Sequence, residues 1–378
     1  MITVTLPAAA ANFVAGGGRD IDLARVTGLP ALEAGAQLQL LGASGEEVGF
    51  AIADPDNGKL RVLALASEGL PIGGALLALR VERALTWRKR LGLPGPDHAY
   101  RLIHGAGDGL PGFACDVLGR VAVVYAYGEG LRALGRQLAE AVVGFAQLDG
   151  AVVKLRAKGG SEDVPQEVVG KVEERAIVRE SGVPYEVHPL AGLNVGLFTD
   201  MREQRLGMPR YAPGQRVLNL FAYTGALGLA CARAGAASVT NVDTSQGVLA
   251  WAKGNFDRSG VAGRFEVGDA RRFLQRAARD KERYDLVIVD PPSAGVGWAT
   301  GRDYPELIAA ASAVIPEGGL LWLAANTVEL GPLAKLAGKG LRGRGASIVE
   351  QAGLPPEYPT VVAQPQDRYL QILVLRLH

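Results

Sequence analysis

The sequence has little cysteine and no long apolar run. Only Cys115 and Cys231 occur among the 378 residues, which excludes a disulfide framework and a cysteine-rich zinc site. No apolar stretch reaches the roughly 20 residues that a helix needs to cross a bilayer. The first residues also lack the basic region of a secretory signal. We therefore expect a cytoplasmic protein without membrane contact.

The sequence also has no large excess of positive or negative charge. The 40 Lys and Arg residues nearly balance the 39 Asp and Glu residues, for a formal net charge of +1. The chain as a whole therefore does not predict a polyanionic partner. Its main basic clusters are local, in "TWRKRLG" (86–92) and "ARRFLQRAARDKER" (270–283), and the simplest interpretation of each is a solvated helix face. No histidine lies at metal-ligand spacing from a cysteine or an acid, so no metal site is expected.

Three differently patterned segments divide the chain. Residues 35–80 alternate short apolar runs with turn signals such as "PDNG", which is typical of strands joined by tight turns. The next segment begins with apolar residues at helical spacing, and strand-like runs with one further helix follow it. We predict a β-rich module over 1–80, a linker helix with a central α/β domain over 81–189, and a third domain over 190–378.

Beyond residue 190 the pattern becomes strand, glycine-rich turn, helix, strand. It begins with "RVLNLFAYTGALGLACARAGAASVTNVD" and continues to "YDLVIVDPPS". Alternating units of this length predict an α/β fold with a doubly wound parallel sheet. Ligands of such sheets bind outside the carboxyl ends of the strands.

The predicted strand ends carry a turn and three acids. Gly225 and Gly228 permit a ligand to approach the backbone of the first turn, although their spacing is not that of a dinucleotide fingerprint. Asp243, Asp269 and Asp290 follow the next three strands. A carboxylate at the second strand end can accept hydrogen bonds from both ribose hydroxyls, and one at the third can reach an adenine amino group. The pattern indicates a nucleoside-containing cofactor.

Together these motifs resemble those of class I S-adenosylmethionine-dependent methyltransferases. More narrowly, "LFTDMREQR", "VLNLFAYTGALG", "NVDTSQGVLAWAKGNF" and "VDPPS" resemble motifs of a bacterial large-subunit ribosomal-RNA methyltransferase family that carries an N-terminal PUA domain. The resemblance extends to "AYRLIHGAGDGLPGFACDVLG" (99–119) and to the final "QDRYLQILVLRL". It implies a C-terminal Rossmann-like methyltransferase domain, a central small α/β domain, an N-terminal PUA-like module and S-adenosylmethionine as cofactor.

The resemblance also implies roles for individual residues. Those implied to surround the cofactor are Asp200, Arg202, Phe221, Tyr223, Thr224, Gly225, Asp243, Asp269 and Asp290. Within this set, Asp243 is expected to hold the ribose and Asp269 the adenine. Those implied to face the methyl group and the target base are Asp290, Pro291 and Pro292.

The sequence departs from this family where a catalytic cysteine is expected. Methylation of cytosine at C5 requires a thiolate that first adds to C6. After the fifth strand the sequence instead reads "AANT", from Ala324 to Thr327. Cys115 and Cys231 lie in apolar stretches and are expected to be packed rather than reactive. We therefore do not expect cytosine-C5 chemistry.

A base nitrogen is the target that needs no thiol. It attacks the sulfonium methyl directly and requires alignment, desolvation and hydrogen bonds to the base edge. Asn326 is expected to supply such bonds, and some relatives that methylate guanine N7 carry Asn in this region. We predict Asp290, Pro291, Pro292 and Asn326 as the catalytic residues, with RNA, most simply ribosomal RNA, as the substrate.

Two alternatives stay open at this stage. One is a small-molecule or natural-product methyltransferase, because the chain lacks the Lys-rich start and the His-Pro-Trp stretch of the family's RNA-binding module. The other is a catalytically silent RNA- or ribosome-binding protein that retains the pocket. The sequence also leaves open a homodimer. Cofactor affinity separates the silent protein from the two enzymes, and retention on ribosomal RNA separates the enzymes from each other.

Overall fold

The chain forms two compact units. The computed structural model describes residues 1–93, 95, 98–156, 167–192, 194–295, 298–327 and 331–378. Unit 1 consists of Met1–Arg179, Val187–Val195 and Pro356–Asp367. Unit 2 consists of Glu180–Glu186, Gly196–Pro355 and Arg368–His378. The division into three domains with boundaries at 80 and 189 stays a prediction.

Unit 1 begins with a five-stranded sheet and one short helix. The strands are β1 (Ile2–Thr5), β2 (Asp20–Asp22), β3 (Gln37–Leu41), β4 (Glu47–Asp54) and β5 (Lys59–Leu65). They pair in the order β1-β3-β4-β5-β2. Helix α1 (Ala8–Ala15) and strand β1 lie in an alanine-rich start for which the sequence predicted no element. Val14, Leu38 and Leu60 form part of the apolar core of this region.

The second sheet of unit 1 packs with two helices. Its strands are β6 (Ala99–His104), β7 (Phe113–Leu118), β8 (Val121–Ala126), β9 (Gly150–Leu155) and β10 (Glu167–Gly170), in the order β10-β9-β8-β7-β6. The helices are α2 (Gly74–Arg90) and α3 (Arg132–Ala146). Both bury leucines in one core with these strands, because each helix repeats apolar residues at a spacing of three to four.

Buried cations hold two distant chain segments against the rest of unit 1. Lys154 donates to the carbonyl oxygens of Ala191 and Gly192, the latter at 2.7 Å. Burial lowers the pKa of Lys154 to about 8. Arg88 is fully buried, forms a bidentate pair with Asp108 and donates to Glu357 O at 2.5 Å. These side chains donate hydrogen bonds to buried backbone carbonyl groups of segments that lie outside helices and strands.

Unit 2 is a doubly wound α/β unit, which confirms the predicted fold class. A hairpin of β11 (Ala176–Glu180) and β12 (Val183–Val187) precedes most of it in the chain. Its helices are α4 (Arg202–Gly207), α5 (Ala226–Arg233), α6 (Gln246–Arg258), α7 (Ala270–Arg279), α8 (Thr300–Ala313) and α9 (Leu333–Gly340). Its strands are β13 (Arg216–Leu220), β14 (Ser238–Asp243), β15 (Arg264–Val267), β16 (Leu286–Val289), the short pair β17 (Ala294–Gly295) and β18 (Trp298–Ala299), then β19 (Leu320–Ala325), β20 (Ala346–Gly353) and β21 (Gln371–Leu377). Among the described residues, no helix is both long and apolar enough to span a bilayer.

The main sheet of unit 2 is parallel over five strands and antiparallel over two. The order is β15-β14-β13-β16-β19-β21-β20, with β21 and β20 antiparallel to their neighbours. The sequence predicted a parallel sheet and not this antiparallel edge. The strand order reverses between β13 and β16, so a crevice for a ligand is expected outside the carboxyl ends of these two strands.

Gly228 lets helix α5 lie close to the sheet. Asn219 and Asn241 are buried partners on β13 and β14, and the Asn219 amide donates to Asn241 Oδ1 at 2.9 Å. A Cβ at position 228 would overlap with Asn241 Oδ1 and lie 3.1 Å from Asn219 Nδ2. The glycine therefore contributes close helix-strand packing rather than a turn.

We expect Gly228→Ala to lower the apparent free energy of unfolding by about 1–3 kcal/mol, the range for overpacked cores. Urea denaturation followed by circular dichroism measures this change. Gly254→Ala is the matched control, since a Cβ on that α6 glycine meets no atom within 4 Å. The control should be neutral or stabilising by up to about 1 kcal/mol. Equal stability of the two variants would contradict the packing role of Gly228.

Candidate functional site

The carboxyl edge of the unit 2 sheet brings together most of the predicted site residues. The turn 221–225 follows β13, Asp243 ends β14, and Asp290 directly follows β16. Asp269 follows β15 by two residues and Asn326 directly follows β19. The parallel direction of these strands places all five positions at one edge. The fold therefore gathers these residues at one place, while their individual roles stay predictions.

Asp243 fixes the turn between β13 and α5. One carboxylate oxygen accepts the backbone N–H of Tyr223 at 2.9 Å, and the other accepts that of Ser245 at 3.0 Å. Phe221 and Tyr223 have φ values of 57° and 48°, a left-handed conformation that is costly for residues with a Cβ. The carboxylate thus stabilises a turn conformation that Phe221 and Tyr223 themselves disfavour. The turn places its backbone at the edge of the sheet where a ligand is expected.

A segment before α4 forms a wall beside this turn. The hydroxyl of buried Thr224 donates to Gly196 O at 2.6 Å. Gly196 has φ of 105°, and a Cβ there would overlap with the ring of Trp251 on α6. Phe198 is 47% exposed, with its ring centroid 5.3 Å from that of Tyr223. No local sequence signal predicts the Gly196–Trp251 contact, because the two residues are distant in the chain.

Asn255 on α6 is a site-supporting residue that sequence reasoning missed. It is fully buried, donates to Thr224 O at 3.1 Å and accepts the N–H of Glu186 at 2.9 Å. It lies on the apolar face of α6 with Leu249, Ala252 and Phe256. A polar residue on an otherwise apolar helix face was the signal that could have revealed it.

Asp269 and Val267 lie at the end of β15. Asp269 is the N-cap of α7, and its carboxylate accepts the N–H of Arg272 at 3.0 Å. Val267 is 58% exposed, which is unusual for a valine beside a buried sheet. An exposed apolar side chain next to an acid suits a planar ring that presents an amino group. The capping bond occupies one oxygen of Asp269, so its cap role and a ligand role are compatible.

Asp290 lies half-buried near a second carboxyl group. Burial, and next the charge of Asp200, raise the pKa of Asp290 from 3.8 to about 7. Asp200 precedes α4 and accepts a hydrogen bond from the hydroxyl of Tyr369 at 2.9 Å. A carboxyl group with a pKa near neutrality can exchange a proton under physiological conditions. Asp200, which the sequence resemblance implied at the pocket, thus lies close enough to Asp290 to influence its ionisation.

The remaining predicted residues flank these acids. Arg202 begins α4, and its guanidinium lies 2.8 Å from the carboxylate of Glu203. Pro291 is buried and Pro292 exposed. Asn326 is exposed immediately after β19, whereas Ala324 and Ala325 before it are buried in the strand.

The hydroxyl group of Tyr304 contacts the backbone of two neighbouring strands beneath the site. This buried α8 residue has its hydroxyl 2.6 Å from Ala324 O and 3.1 Å from Val289 O. Val289 ends β16 directly before Asp290, and Ala324 lies in β19 two residues before Asn326. The hydroxyl therefore sets the spacing of the two positions. Sequence reasoning missed Tyr304, because nothing in its helix distinguishes it from other core residues.

Neither cysteine is available for thiolate chemistry. Cys115 and Cys231 are both fully buried. Burial raises the pKa of the Cys231 thiol to about 12, and burial likewise raises the pKa of Cys115. Both thiols are protonated at neutral pH, which confirms the expectation that they are packed rather than reactive.

A separate cleft of about 800 Å³ lies at the opposite, amino-terminal edge of the same sheet. Its lining includes Arg216, Ser238 and Arg264, which begin three of the parallel strands. This cleft is therefore distinct from the acids of the carboxyl edge. Over the described ranges, no group of three or more His, Cys, Asp or Glu side chains is placed to hold a metal ion.

A parallel doubly wound sheet with acids on successive strand ends defines a class of nucleoside-binding Rossmann-like proteins. Residues 100–375 match the family model described as S-adenosylmethionine-dependent methyltransferase. The chain therefore belongs to this methyltransferase family, and its cofactor is S-adenosylmethionine.

Similar proteins of named activity cover most of the chain. Ribosomal RNA large subunit methyltransferase I of Klebsiella pneumoniae (strain 342) is 27% identical over 322 residues, which are 81% of this chain and 80% of that protein. The Yersinia pseudotuberculosis protein of the same name is 27% identical over 360 residues, 91% of each chain. The crystal structure of SMU.776 complexed with SAH shares the fold, with a TM-score of 0.88, 23% identity and coverage of 99% of this chain and 100% of that one.

We expect Asp243→Ala to weaken the binding of S-adenosylhomocysteine by about 1–3 kcal/mol, the cost of losing charge-assisted hydrogen bonds at one carboxylate. The variant releases the N–H groups of Tyr223 and Ser245 as well as any ligand hydroxyl. Titration calorimetry measures the affinity. Asp257→Ala, an exposed α6 acid paired with Lys253, is the matched control and should bind normally. Unchanged affinity in Asp243→Ala would remove the assignment of this strand end.

Proposed function

We propose that the protein transfers a methyl group from S-adenosylmethionine to a base nitrogen of RNA, most simply ribosomal RNA. The RNA part is supported by relatives named ribosomal RNA large subunit methyltransferase I that share 80–91% of their length with this chain. The choice of a nitrogen is carried by one observation. The strand end where a thiol is needed for cytosine-C5 methylation holds Ala324, Ala325 and Asn326.

The carboxyl-edge residues divide into cofactor and target groups in this proposal. The backbone of the turn 221–225 approaches the methionine part, Asp243 accepts from the ribose, and Asp269 accepts from the adenine amino group. Val267, exposed at the same strand end, contacts the adenine ring. Asp200 and Arg202 close the pocket near the sulfonium.

Asp290 and Asn326 are the groups assigned to the target base. A nitrogen that attacks the methyl group needs the base edge held in line with the sulfonium. Asn326 can donate and accept at the base edge, and ionised Asp290 accepts an N–H of the base. Pro291 is buried and Pro292 exposed, so the stiff pair presents an apolar surface beside the base. Tyr304 acts only through the two strand ends that it joins.

The direct test is transfer of a labelled methyl group from S-adenosylmethionine to RNA from a strain that lacks this gene, followed by nucleoside mass spectrometry. We expect label in a base methylated on nitrogen. Labelled 5-methylcytosine would overturn the nitrogen assignment and require a nucleophile other than the two buried thiols. An unlabelled RNA pool with normal cofactor binding would overturn the RNA substrate and favour a small molecule.

We expect kcat to rise with pH through about 7, because only the ionised form of Asp290 can take the proton from a base N–H as the nitrogen attacks the methyl group. In Asp290→Asn we expect a loss of roughly 10²–10⁴-fold and no such pH step. Steady-state methyl transfer between pH 5.5 and 8.5 measures both. A pH step that persists in Asp290→Asn would assign it to another group.

Thermal unfolding supplies an independent check on the same carboxyl group. Its pKa is higher in the folded than in the unfolded chain, so its contribution to stability is present at pH 4 and is lost as the pH rises through about 7. Asp290→Asn lacks this contribution at every pH. The variant should therefore gain stability relative to wild type between pH 5 and 8, and a constant difference would contradict the raised pKa.

A further inference from the structure

An exposed face on the second half of helix α2 in unit 1 combines an aromatic ring with two cations. Trp87 is 39% exposed, the Arg83 side chain is 61% exposed, and Lys89 and Arg90 are also exposed. Arg83, Trp87 and Arg90 follow the spacing i, i+4, i+7, so they lie along one face of the helix. At a rise of about 1.5 Å per residue, Arg83 and Arg90 are about 10 Å apart with Trp87 between them.

The ring and the helix end are held rigidly. The Trp87 indole N–H donates to Pro356 O at 3.0 Å, which fixes the orientation of the ring while its remaining surface faces solvent. Arg88, the next residue, is fully buried and donates to Arg101 O, Glu357 O and the carboxylate of Asp108. Arg88 therefore anchors the last turn of α2, and the neighbouring side chains project from a fixed backbone.

The exposed cations at this end of α2 are only weakly paired with acidic side chains. Arg83 lies 3.7 Å from Glu68, but that carboxylate is already engaged by both guanidinium nitrogens of Arg80 at 2.6 Å. Over the described part of the chain, no acid forms an ion pair with Lys89 or Arg90. Glu82 is the exposed acid of these turns, seven residues from Lys89. The local balance is positive although the chain as a whole carries a formal charge of only +1.

We propose that this α2 face binds a single-stranded segment of the RNA substrate, with an unpaired base stacked on Trp87 and phosphates bound by Arg83 and Arg90. The inference rests on the proposed RNA substrate and names where unit 1 contacts it. Aromatic side chains set among cations are the usual means by which proteins bind single strands without reading every base. Favourable interaction of Lys89 and Arg90 with the helix dipole explains those two cations only. It accounts neither for Arg83, two turns earlier, nor for an exposed, oriented tryptophan.

The test measures binding of a fluorescein-labelled single-stranded RNA to the full chain by anisotropy, from 50 to 300 mM salt. Arg83→Gln/Arg90→Gln should lower the slope of log K against log salt by about 1.4, the value for two phosphates on a single strand. Trp87→Leu should weaken binding roughly tenfold through lost stacking, whereas Trp87→Phe, which keeps a ring but not the indole N–H, should retain most of the affinity.

The matched control removes two exposed cations elsewhere in unit 1. Arg120→Gln/Arg136→Gln loses the same charge from side chains that are 62% and 54% exposed and paired with acids. It should keep the wild-type slope, and an equal loss in both double variants would overturn the α2 site. Calorimetry with S-adenosylhomocysteine should show unchanged cofactor binding in every variant, and an unchanged circular dichroism spectrum and unfolding midpoint should exclude misfolding of unit 1.

Failure of this inference is distinguishable from failure of the proposed function. If wild type neither binds nor methylates RNA, the proposed function is lost and the α2 site with it. If wild type methylates RNA while the Trp87→Leu and Arg83→Gln/Arg90→Gln variants bind RNA with wild-type affinity and slope, the function stands and the α2 site is wrong. The α2 face would then be assigned to a protein partner instead.

Discussion

The hydrogen bond that Asp243 accepts from the Tyr223 N–H, in the turn after β13, is the interaction on which the site depends. Phe221 and Tyr223 adopt left-handed conformations that cost of order 1–3 kcal/mol each. Such a turn persists only where the surroundings determine it more than once. Asp243 holds it from β14, and the Thr224–Gly196 and Asn255–Thr224 hydrogen bonds hold it from the other side. The strained backbone is thus exposed to a ligand without being free to relax.

The sequence carried enough information to predict the sheet and the location of its acids, but not the supports of the site. Alternating strand and helix patterns place Asp243, Asp269 and Asp290 at successive strand ends, and chain direction then brings them to one edge. Tyr304 and the Gly196–Trp251 contact depend on residues that meet only after folding. The antiparallel direction of β20 and β21 was also beyond prediction, because the residue pattern of a strand does not reveal its direction in the sheet.

The sequence and the fold also give different information about the missing catalytic thiol. The missing thiol is visible in the sequence, since "AANT" spans the end of the fifth strand, with Ala324 and Ala325 in β19 and Asn326 directly after it. The fold adds that both remaining thiols are enclosed by apolar atoms and held protonated. No local adjustment near the carboxyl edge converts Cys231, which lies in the core on α5, into a nucleophile. The proposed nitrogen target, which is itself nucleophilic, needs no such thiol.

Two carboxyl groups of the site have contrasting surroundings, and the contrast suits their proposed tasks. Asp243 is surrounded by backbone N–H donors and is fixed in place, as a hydrogen-bond acceptor for sugar hydroxyls must be. Asp290 is half-buried at the end of β16 and lies near the charge of Asp200, and burial first and that charge second raise its pKa to about 7. A group that takes a proton from an N–H in one step and releases it in the next benefits from a pKa near the working pH. Burial, together with the smaller effect of the neighbouring Asp200 carboxylate, is the feature that tunes Asp290 for this exchange.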